Sequence, residues 1–321
     1  MSRGGWLFRR DVVGWLLEPA LRRQLPPAYR AFALYCSLYF RVAGGSQRLP
    51  AGRALLRIAR WLHRRTSGEP LGRIAVDGRT LFYNLEDPRF LQVVNEIRGS
   101  GDTAVLSQLL GEGDTFVDVG ANHGAFSIVA CQLVGSSGRV VAVEAQPRLA
   151  EAVRRSLAAN AECAHEVHQF AVSDCEGEID LLIPTRSSGR SGVFPAHSAR
   201  HAHHSVRVPM HRFDEVVDWR CFGESTVLKL DVEGSELAFL KGARRMLESL
   251  FPTLFMEINP ASMRAARTDL RALTDLLSEI GYRRYRELDG LDEPRALSDL
   301  RAEEARDVLF DRGPIRKLAD R

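Results

Sequence analysis

Thr115-Phe-Val-Asp-Val-Gly-Ala-Asn-His-Gly124 is the stretch whose reading decides the fold. Its first five residues are apolar apart from Thr115 and Asp118 and too few for a helix, so they read as a short buried strand. Gly120 and Gly124 bracket a turn, and the apolar run from 125 to 134 continues as a helix. Strand, glycine-bracketed turn and helix in this order open an α/β unit. Its ligand is expected beyond the carboxyl ends of the strands.

The same alternation continues along the chain. Strands are expected at 139–144, 166–172, 226–231 and 253–258, with helices at 147–160, 236–250 and onward to 280. Segments 282–286 and 307–311 close the sheet. The repetition predicts a mainly parallel sheet covered by helices on both faces. Upstream, residues 74–83 alternate around Asp77-Gly78, a hairpin signal, and a helix is expected over 90–110.

The turn also narrows the ligand. A dinucleotide fold uses Gly-x-Gly-x-x-Gly to seat a pyrophosphate on the helix N-terminus. Here the spacing is Gly-x-x-x-Gly, and Asp118 precedes it. That acid repels a pyrophosphate and suits a ligand with an ammonium group. S-adenosylmethionine has that ammonium, a sulfonium and no phosphate. Glu144 ends the second strand, where a carboxylate accepts hydrogen bonds from ribose hydroxyls. Asp174, after the third strand, is expected to meet the adenine amino group.

Asp118-Val-Gly-Ala-Asn-His-Gly124, Ala171-Val-Ser-Asp-Cys-Glu-Gly177, Leu228-Lys-Leu-Asp-Val-Glu-Gly-Ser-Glu236, Gly242 and Met256-Glu257 together resemble the successive signatures of the FkbM-type methyltransferases. The resemblance covers roughly residues 75 to 285. It implies a class I methyltransferase (Rossmann-like) fold with seven strands, helices on both faces and an antiparallel last hairpin. It also implies S-adenosylmethionine as cofactor, contacted by Gly120, Asn122, Gly124, Glu144 and Asp174. O-methylation of a sugar, lipid or secondary-metabolite hydroxyl is the implied reaction. His123 is expected to face the cofactor edge.

Methyl transfer to an alcohol needs alignment of the acceptor oxygen and removal of its proton. Asp231, Glu233 and Glu257, at neighbouring strand ends, are the expected acidic wall. Lys229 shares a strand face with Asp231 and is placed to hold it. Glu236 reads as an acid in the first helical turn. No metal is assigned, although Asp231, Glu257 and Asn259 offer hard oxygen donors. Five of the nine histidines, His197, His201, His203, His204 and His211, fall within 15 residues. The stretch from Pro184 to His204 reads as a solvated insertion over the strand ends, where a substrate lid would sit, with Arg186, Arg190 and Arg200 available to an acidic substrate.

The 321 residues are 45% hydrophobic and 26% charged, an ordinary globular balance. The net charge of +3 hides an asymmetry: residues 1–65 hold 13 Arg against Asp11 and Glu18. Residues 1–70 are therefore expected as an Arg-rich helical extension and 71–321 as the methyltransferase domain. Two readings of the extension stay open. It is an accessory layer with arginines in water, or a surface that meets anionic membrane through residues 1–65. No nucleic-acid partner is expected. Five cysteines without a Cys-x-x-Cys pair argue against a disulfide framework and for a reducing cytoplasm, with placement at the inner membrane face as the variant. The acceptor is expected to be a small molecule or glycan. Amine methylation and a catalytically silent membrane-surface module are the alternatives.

Overall fold

The computed structural model describes residues 14–43, 51–67, 70–99, 101–160, 162–184, 203–223, 225–288, 291 and 293–311. The helices are α1 (Pro19–Gln24), α2 (Pro27–Ala43), α3 (Gly52–Thr66), α4 (Phe90–Glu96), α5 (Leu106–Leu109), α6 (Ala125–Val134), α7 (Pro147–Ala159), α8 (Phe213–Val216), α9 (Glu236–Gly242), α10 (Arg244–Leu250), α11 (Pro260–Ala265) and α12 (Leu270–Ile280). The strands are β1 (Leu71–Val76), β2 (Arg79–Asn84), β3 (Thr115–Val119), β4 (Arg139–Val143), β5 (Ala164–His168), β6 (Ala171–Val172), β7 (Gly177–Pro184), β8 (His203–His211), β9 (Thr226–Leu230), β10 (Thr253–Ile258), β11 (Arg284–Glu287), β12 (Arg295–Ala296) and β13 (Arg306–Asp311). Among the described residues no helix is long and apolar enough to cross a membrane.

The main sheet has the order β12-β11-β13-β10-β9-β3-β4-β5. Strands β10, β9, β3, β4 and β5 run parallel, and β13 runs antiparallel between β10 and β11. Apart from the two-residue β12, this is the seven-stranded arrangement of a class I methyltransferase. Successive side chains point to opposite faces, and both faces are buried. Val117, Val119, Val143, Leu228, Leu230 and Met256 pack on one side. Phe116, Val140, Val227, Phe255 and Leu309 pack on the other.

Three expected elements are divided. The helix over 90–110 breaks at Gly99, whose φ is +74°, into α4, a 3-10 turn at Gly101–Val105, and α5. The helix over 236–250 breaks at Ala243. The strand over 166–172 ends at His168. Ala171 and Val172 instead pair with β8 in a separate sheet of order β6-β8-β7. The arms of that hairpin pair from Gly177↔Met210 to Pro184↔His203. His197, His201, Arg186, Arg190 and Arg200 lie outside the described residues.

The N-terminal helices share a core with the rest of the chain. Trp15, Tyr29, Phe32, Cys36, Phe40 and Leu56 cluster with Ile74, Leu81, Phe90, Val94 and, from α6, Ile128. The Trp15 indole donates to the Leu91 carbonyl (2.8 Å) and the Tyr29 hydroxyl to that of Leu85 (2.7 Å). The expected boundary at 70/71 thus runs through one packed cluster. The expectation on cysteines is corrected at one pair. Cys131 on α6 and Cys163 before β5 are disulfide-bonded, with Cα atoms 5.5 Å apart. Residues 32 apart in sequence meet because α6 and β5 border the same face.

Candidate active site

A cavity of about 290 Å³ lies at the carboxyl edge of the parallel strands. The register shows which residues must share it. Asp118 pairs with Lys229 across β3 and β9, and Phe255 with Lys229 across β9 and β10. Glu257 pairs with Asp307 across β10 and β13. These side chains therefore stand on one face at neighbouring positions. Lys229, Glu257 and Asp307 line the cavity with Gly120, Asn122, Glu144, Asp231 and Glu233.

The β4 side of the cavity is apolar around one acid. Val143, Leu149, Phe170, Ala171, Val172 and Leu181 form its wall. Glu144 is buried among them and accepts the backbone N–H of Asn122 (2.7 Å) on one oxygen and that of Gln146 (2.8 Å) on the other. Burial still outweighs these bonds and pushes its carboxyl up to about 7. Asn122 holds φ +54° and its Oδ1 lies 2.7 Å from His123 Nδ1. His123 lines the cavity and is buried, which lowers its pKa to about 4 and leaves it neutral at pH 7.

The β9–β10–β13 side is acidic. Lys229 Nζ stands 3.7 Å from Asp118 Oδ1, 3.5 Å from Asp231 Oδ2 and 4.9 Å from the centre of the Phe126 ring. Burial works against its charge, but Asp231, Asp118 and Asp307 outweigh it and its pKa is raised. Glu233 sits at φ +49° and accepts the Ser262 hydroxyl (3.0 Å). Burial, then Asp231 and Glu257, pushes its carboxyl up to about 8. Glu257 is raised by burial and Asp231, and accepts the Asn259 amide (3.2 Å). Asp307 is pushed up to about 7 by burial, Asp102 and Glu257. Arg89 lines the same side, 3.4 Å from Glu96. Its Nε is buried without a hydrogen bond. Among the described residues no three His, Cys, Asp or Glu side chains converge as metal ligands.

Several expected contacts are relocated. Asp118 is fully buried behind the cavity wall, where it accepts the Ser127 hydroxyl (2.6 Å) and faces Lys229. It does not line the cavity. Gly120 does permit a close approach, but of backbone to backbone. Its φ is +81°, and a Cβ there would collide with the Asp231 carbonyl oxygen. Gly124 begins α6 and faces Val153 rather than the cavity. Asp174 follows β6 outside the main sheet and pairs with Lys241 at 3.7 Å. It does not line the cavity, whereas Phe170, Ala171 and Val172 do. Glu236 is buried, accepts the Gly234 N–H (3.1 Å) and serves the turn before α9. His211 sits 2.5 Å from Glu176, and His204 on β8 lines a second cavity beside α3.

Arg89, Glu96, Asp102 and Asp307 were not anticipated from the sequence. Asp307 begins its strand instead of ending it. Because β13 runs antiparallel to β10, that beginning lies at the carboxyl edge of the other strands. An antiparallel last strand is the signal that points to it.

A model of the Methyltransferase FkbM domain matches residues 118–284. No curated protein sequence matches the chain. Among solved structures, it is similar to a methyltransferase FkbM from Methylobacillus flagellatus KT, with 17% identity, 68% of this chain and 54% of that one covered, and a TM-score of 0.39. The chain thus spans about half the length of that protein. A SAM-dependent methyltransferase from Aquifex aeolicus has 13% identity, coverages of 67% and 96%, and a TM-score of 0.35. A SAM-dependent O-methyltransferase from Thermotoga maritima has 14% identity, coverages of 76% and 78%, and a TM-score of 0.37.

Proposed function

The chain belongs to the FkbM methyltransferase domain family, and on that premise we propose that it transfers the methyl group of S-adenosylmethionine to a hydroxyl oxygen of a small-molecule or glycan acceptor. One observation carries the reading: a buried carboxylate and an acidic cluster stand two strands apart along a single cavity. Neighbouring strands lie about 4.8 Å apart, so the ends of β4 and β9, which flank β3, are ~10 Å apart. A nucleoside with its ribose at Glu144 can therefore extend its sulfonium toward Asp231.

The residues present fit that cofactor. Both oxygens of Glu144 already hold backbone N–H donors on one side, which fixes the carboxylate for the ribose hydroxyls. Val143, Leu149, Phe170 and Val172 offer an apolar slot for the base. Asp231, Glu96 and Asp102 supply the acidic surroundings an ammonium needs. When bound, S-adenosylmethionine supplies a methyl made electrophilic by its sulfonium.

The chain's own residues align the acceptor and take its proton. Glu233, Glu257 and Asp307 form one interacting cluster around Asp231, so those three titrate together rather than singly. Their raised pKa values place proton acceptance near neutral pH, where a general base is most effective. Lys229, 3.5 Å away, holds the Asp231 carboxylate in place beside the acceptor. An acidic wall of this kind favours a neutral hydroxyl acceptor, which must lose a proton as it attacks, over a phosphorylated one.

Titration calorimetry with S-adenosylhomocysteine tests the reading. A hydrogen bond to a charged group contributes about 1.5–3 kcal/mol, so Glu144→Gln should weaken binding roughly 10- to 100-fold. No binding by the parent chain, or equal binding by a folded Glu144→Gln variant, would refute it.

A further inference from the structure

Six large hydrophobic side chains are exposed among the described residues, and five lie on two adjacent helices. Leu34 (48%) and Leu38 (56%) are on α2, and Ile58 (52%), Trp61 (54%) and Leu62 (40%) are on α3. The i, i+3 and i+4 spacings place each set on one helical stripe. The buried stripes, opposite on α2 and flanking on α3, are accounted for. Phe32, Ala33, Cys36 and Phe40 of α2, and Leu56 and Ala59 of α3, enter the shared core. Helix α2 is thus apolar on both sides, and on α3 the apolar surface runs past the buried residues to Ile58, Trp61 and Leu62, which an accessory layer with a solvated outer face does not require. A contiguous apolar patch on a soluble surface marks an interaction site.

The charge around the patch selects its occupant. Positions 19–68 hold ten arginines and no acidic residue. Arg57, Arg64 and Arg65 are exposed on α3, and the Arg65 guanidinium lies 4.6 Å from the centre of the Trp61 ring. A second copy of the chain docking through this face would bring two arginine fields together. A nucleic acid would meet the arginines but leave Leu34, Leu38, Ile58 and Leu62 without a partner. An anionic bilayer satisfies both: aliphatic and indole side chains enter the headgroup boundary while arginines meet lipid phosphates. We infer that the outer face of α2 and α3 docks the enzyme on an anionic membrane surface, lying in the interface without crossing it.

Vesicle flotation of the full chain tests this. Truncation is unsuitable because these helices supply part of the common core. The parent should float with phosphatidylglycerol-containing vesicles and not with pure phosphatidylcholine. Ile58→Ser/Trp61→Ser/Leu62→Ser should cut the bound fraction roughly tenfold or more. Arg57→Gln and Arg65→Gln should each weaken binding about fivefold, since one surface cation contributes ~1 kcal/mol. Trp61 fluorescence should be quenched by brominated lipid, with Trp61→Phe removing that quenching, so the result does not depend on the triple variant folding. Failure to float with anionic vesicles, quenching unchanged in Trp61→Phe, or unchanged flotation of the triple variant would overturn the inference. So would a dimer in light scattering that the triple variant dissolves, which assigns the face to a second copy.

Discussion

Lys229→Met removes the ammonium between Asp118 and Asp231 while keeping most of the side-chain volume. The two carboxylates respond differently. Asp231 is 41% exposed and turns to water. Asp118 is 0% exposed and keeps only neutral donors, the Ser127 hydroxyl and backbone N–H. At the 3.7 Å separation, an effective dielectric of 20 gives an interaction of ~4 kcal/mol. Breaking a buried pair from one side typically costs 3–5 kcal/mol, roughly the same figure. The variant should therefore lose about 4 kcal/mol in urea unfolding followed by circular dichroism. Lys229→Met/Asp118→Asn should recover at least ~2 kcal/mol of that, because the stranded charge is gone. The pH dependence gives a second check. Burial raises the Asp118 pKa, and losing Lys229 raises it further. A group whose folded pKa is raised destabilises the fold once it ionises. The gap between parent and variant should thus be wide at pH 8 and narrow as pH falls. A loss under about 1 kcal/mol, or strictly additive single effects, would refute the assignment of Lys229 as the counter-charge of Asp118.

Other outcomes follow from the same geometry. Gly120→Ala forces a left-handed residue to carry a Cβ against the Asp231 carbonyl. It should cost about 2–4 kcal/mol and abolish calorimetric binding of S-adenosylhomocysteine; a variant that binds normally would mean that β3 and β9 do not meet there. Glu144 and Glu236, both held near 7 by burial, bind protons in the folded state that the unfolded chain releases above about pH 4.5. Stability of the ligand-free protein should fall between pH 5 and pH 8, by up to about 3 kcal/mol for each group. A flat or rising thermal-melting profile over that interval would contradict their burial. Asp307→Asn should move the alkaline-rising limb of kcat/KM to lower pH, because Glu257 loses a like-charged neighbour; an unmoved limb would separate Asp307 from the cluster.

The sheet was legible because its strands are short apolar runs at regular spacing, and a strand buried on both faces can hardly look otherwise. The cavity residues Glu144, Asp231 and Glu257 were legible for the same reason, since they stand at the ends of such runs, and Glu233 follows in the turn after one of them. Asp118 was misplaced because, although it shares a sheet face with Lys229, its carboxylate is covered by Lys229 and by Ser127 of α6, and strand alternation alone does not reveal that cover. Asp174 was misplaced because the chain leaves the main sheet at His168, and local sequence does not say which sheet two residues will join. Asp102 reaches the cavity from the segment that bends at Gly99 instead of continuing as one helix, and Arg89 reaches it from the residue before that helix begins. The pairing of Cys131 with Cys163 depends on tertiary packing that spacing alone does not encode.

Strand β13 has a consequence for how the protein is made. It fills the position between β10 and β11, yet it leaves the ribosome roughly 50 residues after β10. At about 5–20 residues per second, β10 waits several seconds with one edge unpaired. That edge belongs to Thr-Leu-Phe-Met-Glu-Ile, an apolar strand able to pair with any neighbouring nascent chain. The interval before residue 311 emerges is therefore when this polypeptide is most exposed to aggregation and most in need of a holding chaperone. The cavity at the carboxyl edge of the sheet, which takes Asp307 from the same strand, is also completed only at that moment.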